Sequence, residues 1–174
     1  MNTLRKLLGV VVLASVSLAL SAQLKIGHIN SQELLSMMPE TDSAQKKIEK
    51  IYKEHELMLE ELSVEFNKKY DDFLKKLDDQ ANPMTPFMRS QKEGELQEIQ
   101  QRIQTFQQNA EQDLQQQRAV LFQPIQEKAV KAINDVAAEN NYTYIIDSAV
   151  GVLIYTAPGA DDILPLVKNK LGLK

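Results

Sequence analysis

The chain has 174 residues, a formal net charge of −4, no cysteine and no tryptophan. The absence of cysteine excludes a disulfide framework and a lipid-anchored cysteine. The acidic balance argues against a nucleic-acid partner, whose phosphates need clustered lysine and arginine. Aromatics are only 6 %, so stability has to come from helix pairing or from contacts between chains.

Residues 1–22 read as a signal peptide. Arg5 and Lys6 precede an apolar run at 7–20, and Leu20-Ser21-Ala22 ends in small residues. The run has 14 residues, short of the roughly 20 that a helix needs to span a bilayer. Cleavage after Ala22 leaves 152 residues and removes two cations but no acid, so the net charge becomes −6.

Residues 24–30 (Leu-Lys-Ile-Gly-His-Ile-Asn) alternate as a short strand does, with Leu24, Ile26 and His28 on one face. Ser31 is placed to cap a short helix that Pro39 interrupts. From about Glu40 a stripe of Ile48, Tyr52, His55, Leu59, Leu62, Phe66, Tyr70, Phe73 and Leu77 recurs every three or four residues. That is an amphipathic helix or coiled-coil strand. Asn82-Pro83 and Thr85-Pro86 mark a turn near 80–86. Thr85 suits the next cap and Pro86 the first helical position. A second stripe follows from Leu96 through Ile99, Ile103 and Phe106 to Ile133 and Val136, with Asn140-Asn141 as its stop. Two helices of about 40 and 54 residues joined by a short turn should lie antiparallel, roughly 60 and 80 Å long. Pro124 is expected to kink the second.

Strand character returns at 142–147 and 150–156, with a hairpin expected near 147–151. A last helix is expected from Ala160 or Asp161, with Ile163, Leu164, Val167 and Leu171 as its stripe and Gly172 as its stop. The fold class is therefore α+β: a long antiparallel coiled-coil helical hairpin on a small β-rich body. The hairpin arm takes 41–124, and the body takes 23–40 and 125–174. So little strand and short helix cannot bury much alone, which predicts that other copies of the chain complete the body.

Catalysis needs converging groups, and few are present. His28 and His55 have no second histidine or cysteine at ligand spacing, and Asp147, Asp161 and Asp162 suit a turn and helix caps. No cofactor, metal, small-molecule substrate or enzymatic activity is expected. The candidate contact surfaces are apolar. At the hairpin tip, Phe73, Leu77, Met84, Phe87 and Met88 could close the coiled coil or meet varied partners. In the body, Ile26, Tyr142, Tyr144, Ile146, Val152 and Ile154 are assigned to the core and the subunit interface. The 13 glutamines between Gln91 and Gln126 read as a solvated face or as a weakly interacting wall.

The strand Leu-Lys-Ile-Gly-His-Ile-Asn, the charged helical hairpin, the block Tyr-Thr-Tyr-Ile-Ile-Asp-Ser-Ala-Val from Tyr142, and the final helix around Asp162-Ile163-Leu164 follow one another in an order that resembles the Skp (OmpH-like) family of periplasmic chaperones. The resemblance covers essentially the whole mature chain. It implies a homotrimer whose helical arms surround a cavity, and an ATP-independent holdase for unfolded outer-membrane proteins in the periplasm. The better-known members are basic and this chain is acidic, so no lipopolysaccharide site is carried over. The other reading is a cell-envelope structural or adaptor protein that docks a folded partner through the coiled coil.

Overall fold

The computed structural model describes residues 24–173; the leader expected at 1–22 lies outside the described residues. In chain order the elements are β1 (Ile26–Ile29), α1 (Ser31–Met37), α2 (Pro39–Leu77), α3 (Pro86–Glu139), β2 (Tyr144–Asp147), β3 (Asp161–Asp162) and α4 (Leu164–Leu171). The chain divides into two units: residues up to Leu34 with those from Ala129, and Leu35–Lys128.

The unit Leu35–Lys128 is a hairpin of two long helices. Pro39 occupies the first turn of α2, where its missing N–H would have had no partner anyway. Ion pairs and polar contacts join the helices at Glu40–Lys128, His55–Asp113, Glu65–Arg102 and Lys69–Glu95. Residue numbers rise along α2 as they fall along α3, so the helices run antiparallel. The seam buries Ala44, Ile48, Leu62, Phe73, Ile99 and Ile125, and Phe66 stacks on Tyr70 with ring centroids 6.0 Å apart. One helix covers only part of another's stripe, so Tyr52 and Tyr70 remain 55 % and 43 % exposed. The α3 helix continues through Pro124 without interruption.

In the other unit the sheet has the order β2-β1-β3, with both neighbours parallel to β1. Ile26 stands beside Tyr144 and His28 beside Ile146. Gly27 and Ile29 face inward. A Cβ on Gly27 would lie 3.0 Å from Ile145 and Tyr142 and 3.1 Å from Ile163, so only glycine lets the layers close this tightly. Ile29, Ile163 and Val167 are fully buried, with Ala129, Ala132 and Val136 of α3 nearly so. Burying such a side chain fully contributes about 1.5–3 kcal/mol for the larger residues. The α3 helix ends in a Schellman motif: Asn141 takes φ 58°, Tyr142 N–H donates to Ala137 O at 2.9 Å and Asn141 N–H to Ala138 O at 3.3 Å. Gly172 closes α4 in the same way.

Three local expectations are corrected. Residues 152–157 form no strand and no hairpin with β2. The chain turns through Gly151 at φ 72°, and a lone added strand would have no layer to cover its apolar side chains. The third strand is instead Asp161–Asp162, where a helix start was expected; α4 begins at Leu164, whose N–H donates to the Asp162 carboxylate at 2.9 Å. The cap of α1 is Asn30, whose Oδ1 accepts from Glu33 N–H at 3.0 Å. Ser31 is committed to Asp147.

Candidate functional site

At the tip of the hairpin, Asp78 N–H donates to Leu74 O and closes α2. Asp79 Oδ1 then accepts the N–H groups of Ala81 and Asn82 at 3.0 and 3.1 Å, an Asx turn of the kind aspartate favours. Thr85 caps α3 by accepting Met88 N–H at 3.2 Å. The turn leaves Phe87 77 % exposed. Leu77 and Met88 are also exposed, and Met84 is half-buried. Phe73 departs from the expected contact set: it is buried in the seam and presents no contact surface.

Away from the tip, Leu57, Met58, Val64 and Val120 are exposed apolar residues of the hairpin. The stripe pattern passed over them because Leu57 and Val64 sit on the opposite side of α2, seven residues apart.

A polar layer crosses the seam. His55 Nε2 lies 3.3 Å from Asp113 Oδ2, Gln117 Nε2 donates to Asp113 Oδ1 at 3.2 Å, and the imidazole meets the Phe106 ring edge-on at 5.9 Å. His55 Nδ1 is buried without a partner. Further along, Lys128 pairs with one oxygen of Glu40, and that ammonium holds the Glu40 carboxyl below the ordinary carboxylate range.

The body exposes apolar surface on one sheet face and on the segment that follows it. Ile26 and Tyr144, side by side in register, are 47 % and 60 % exposed. Ile146 is half-buried. Tyr142 is half-buried too, with Lys25 Nζ 4.0 Å from its ring centroid. Val150, Val152 and Tyr155 are exposed, and Ile154 is 97 % exposed.

Asp147 binds within the body. Its carboxylate accepts the Ser31 hydroxyl at 2.5 Å and the N–H groups of Ser31 and Ala149 at 3.1 and 2.9 Å. Those bonds occupy it structurally. Asp162 likewise serves the start of α4. Among the described residues no cluster of three or more His, Asp or Glu could hold a metal ion, and no helix is long and apolar enough to cross a membrane.

The family model described as outer membrane protein (OmpH-like) matches residues 25–171. The chain belongs to the OmpH-like family. The match spans both units, so the hairpin and the strand-bearing body are together the OmpH-like fold. The OmpH-like proteins are periplasmic chaperones of outer-membrane proteins rather than enzymes. No curated protein matches the chain.

Proposed function

We propose that the chain is an ATP-independent holdase that assembles as a homotrimer and keeps unfolded outer-membrane β-barrel proteins from aggregating in the periplasm, held between its hairpins. The observation that supports assembly is the apolar surface of the body. Ile26, Tyr144, Val152 and Ile154 are exposed to an extent a monomer in water has little reason to keep. A subunit interface over them, with Ile146 and Tyr142 at its margin, removes that surface from water. The body, residues 23–40 and 125–174, then serves assembly, and the hairpin, 41–124, serves the client.

Client contact is assigned to exposed apolar residues spread over the hairpin, Leu77, Met84, Phe87 and Met88 at its tip among them. Methionine and phenylalanine adapt to varied partners. An unfolded barrel protein is a fitting client because its strands alternate apolar residues that have no lipid to face before insertion. Export would be followed by cleavage after Ala22.

Light scattering on the mature protein, paired with aggregation of a urea-diluted barrel protein, tests the reading. Three chains per particle with aggregation suppressed at stoichiometric amounts is the expected result. A trimer that suppresses nothing would move the function to an adaptor. A monomer would remove the cavity and the mechanism with it.

A further inference from the structure

Five methionines follow the leader, at positions 37, 38, 58, 84 and 88, and the chain contains no cysteine. Two-electron oxidation by a peroxide therefore falls on the thioethers. Burial divides the five. Met38 is 1 % exposed, whereas Met88 is 48 % exposed, Met37 and Met58 are also open to water, and Met84 is half-buried. Met84 and Met88 bracket the exposed Phe87 in one turn of the hairpin tip. The fold there uses the backbone of Met88, whose N–H donates to the Thr85 hydroxyl; the sulfur takes no part in that bond.

A peroxide converts such a sulfur in one step. A sulfur lone pair attacks one peroxide oxygen, the S–O bond forms and the O–O bond breaks. The leaving hydroxide takes the proton of the transferred oxygen and departs as water. Sulfur loses two electrons and the peroxide gains them. The sulfoxide is polar, so it no longer favours the apolar contacts that a flexible thioether makes. We propose that Met84 and Met88 are oxidation sites through which a peroxide lowers the apolar contact made by the hairpin tip while the helices stay intact. The effect on a client rests on the holdase reading; the oxidation and the change at the tip do not. Sulfoxide reductases restore the thioether, so the change is reversible. Met38, enclosed in the same chain, is the internal contrast.

Treatment of the mature chain with hydrogen peroxide, followed site by site with peptide mass spectrometry, tests the proposal. Met88 and Met84 should gain oxygen while Met38 is unmodified, with helical circular dichroism and particle mass constant. Retention on a phenyl resin should fall. Met84→Leu with Met88→Leu keeps apolar side chains of similar volume without the sulfur, and should hold its retention through the same treatment. Met84→Gln with Met88→Gln should reproduce the loss without peroxide. Met38 oxidised ahead of Met84 and Met88 overturns the proposal. So does a loss of retention as large in the leucine variant, which would assign the effect to Met37 or Met58.

Barrel-protein aggregation is followed in parallel. The oxidised protein should be needed at about fourfold higher concentration for half-protection, the equivalent of withdrawing one methylene from apolar contact, and the leucine variant should be unaffected. Peroxide-sensitive retention that the leucine variant abolishes, in a protein that protects no barrel client, upholds the oxidation sites and refutes the holdase reading. Barrel protection and retention that are both indifferent to oxidised Met84 and Met88 do the reverse.

Discussion

Asp147 shows how much one side chain can tie together. Burial pushes its carboxyl upward, but the Ser31 hydroxyl and the Ala149 and Ser31 N–H groups outweigh that and hold it below the ordinary carboxylate range. A carboxyl lowered in the folded state contributes stability that is complete above its unfolded pKa and is lost as the pH falls through its folded value. The urea midpoint of the intact protein should therefore drop on acidification below about pH 4, the unperturbed aspartate value. Asp147→Asn should start lower, by about 1–3 kcal/mol, and lose less over that range; an equal acid loss would show that other carboxylates govern it. Gly27 is the second such position. Gly27→Ala should cost about 1–3 kcal/mol by overpacking, visible as a lower thermal midpoint, because its Cβ would meet Ile145, Tyr142 and Ile163 together. The sequence marks Asp147 as a turn residue, but its partner Ser31 lies 116 positions away, and no local pattern joins them.

Among the elements, the long helices follow most directly from local signals. Thr85 caps α3 and Pro86 opens it, so Thr85→Ala should lower stability by about 1 kcal/mol, measured as a shifted denaturant midpoint with an unchanged slope. The polar layer at His55 behaves differently. Removing Asp113 alone leaves both imidazole nitrogens without a protein partner in a half-buried seam. Asp113→Ala should cost about 1 kcal/mol, whereas His55→Leu with Asp113→Leu should recover it, since replacing both partners by apolar groups can be neutral or stabilising. A double variant as weak as the single one would mean that shape, not polarity, sets the seam at that level. The short strands were less legible. Residues 150–156 carry the β-branched composition of a strand and form none, because strand propensity records fit to a half-buried surface and the chain by itself supplies none there.

At the scale of the whole molecule, the exposed apolar surface of the body is the feature on which the proposed assembly rests. Val152→Asp with Ile154→Asp should convert the proposed trimer to smaller species in light scattering while the helical circular dichroism persists, since neither residue lies in a helix or in the buried core. A trimer that survives both charges would place the interface elsewhere. Protection of a barrel client should fall with the mass if the client is held between hairpins.

The sequence by itself determined the two long helices, their turn, their antiparallel order and the family, because apolar periodicity, proline position and capping residues act within a few residues of one another. It also marked the apolar residues of the tip and body as notable. Only the tertiary structure decided that Phe73 is spent inside the seam, that Asp161 and Asp162 rather than 150–156 complete the sheet, and that Asp147 holds Ser31. Each of those outcomes depends on which distant segment supplies a covering surface or a hydrogen-bond partner, and burial is settled by the assembled layers rather than by the residue type.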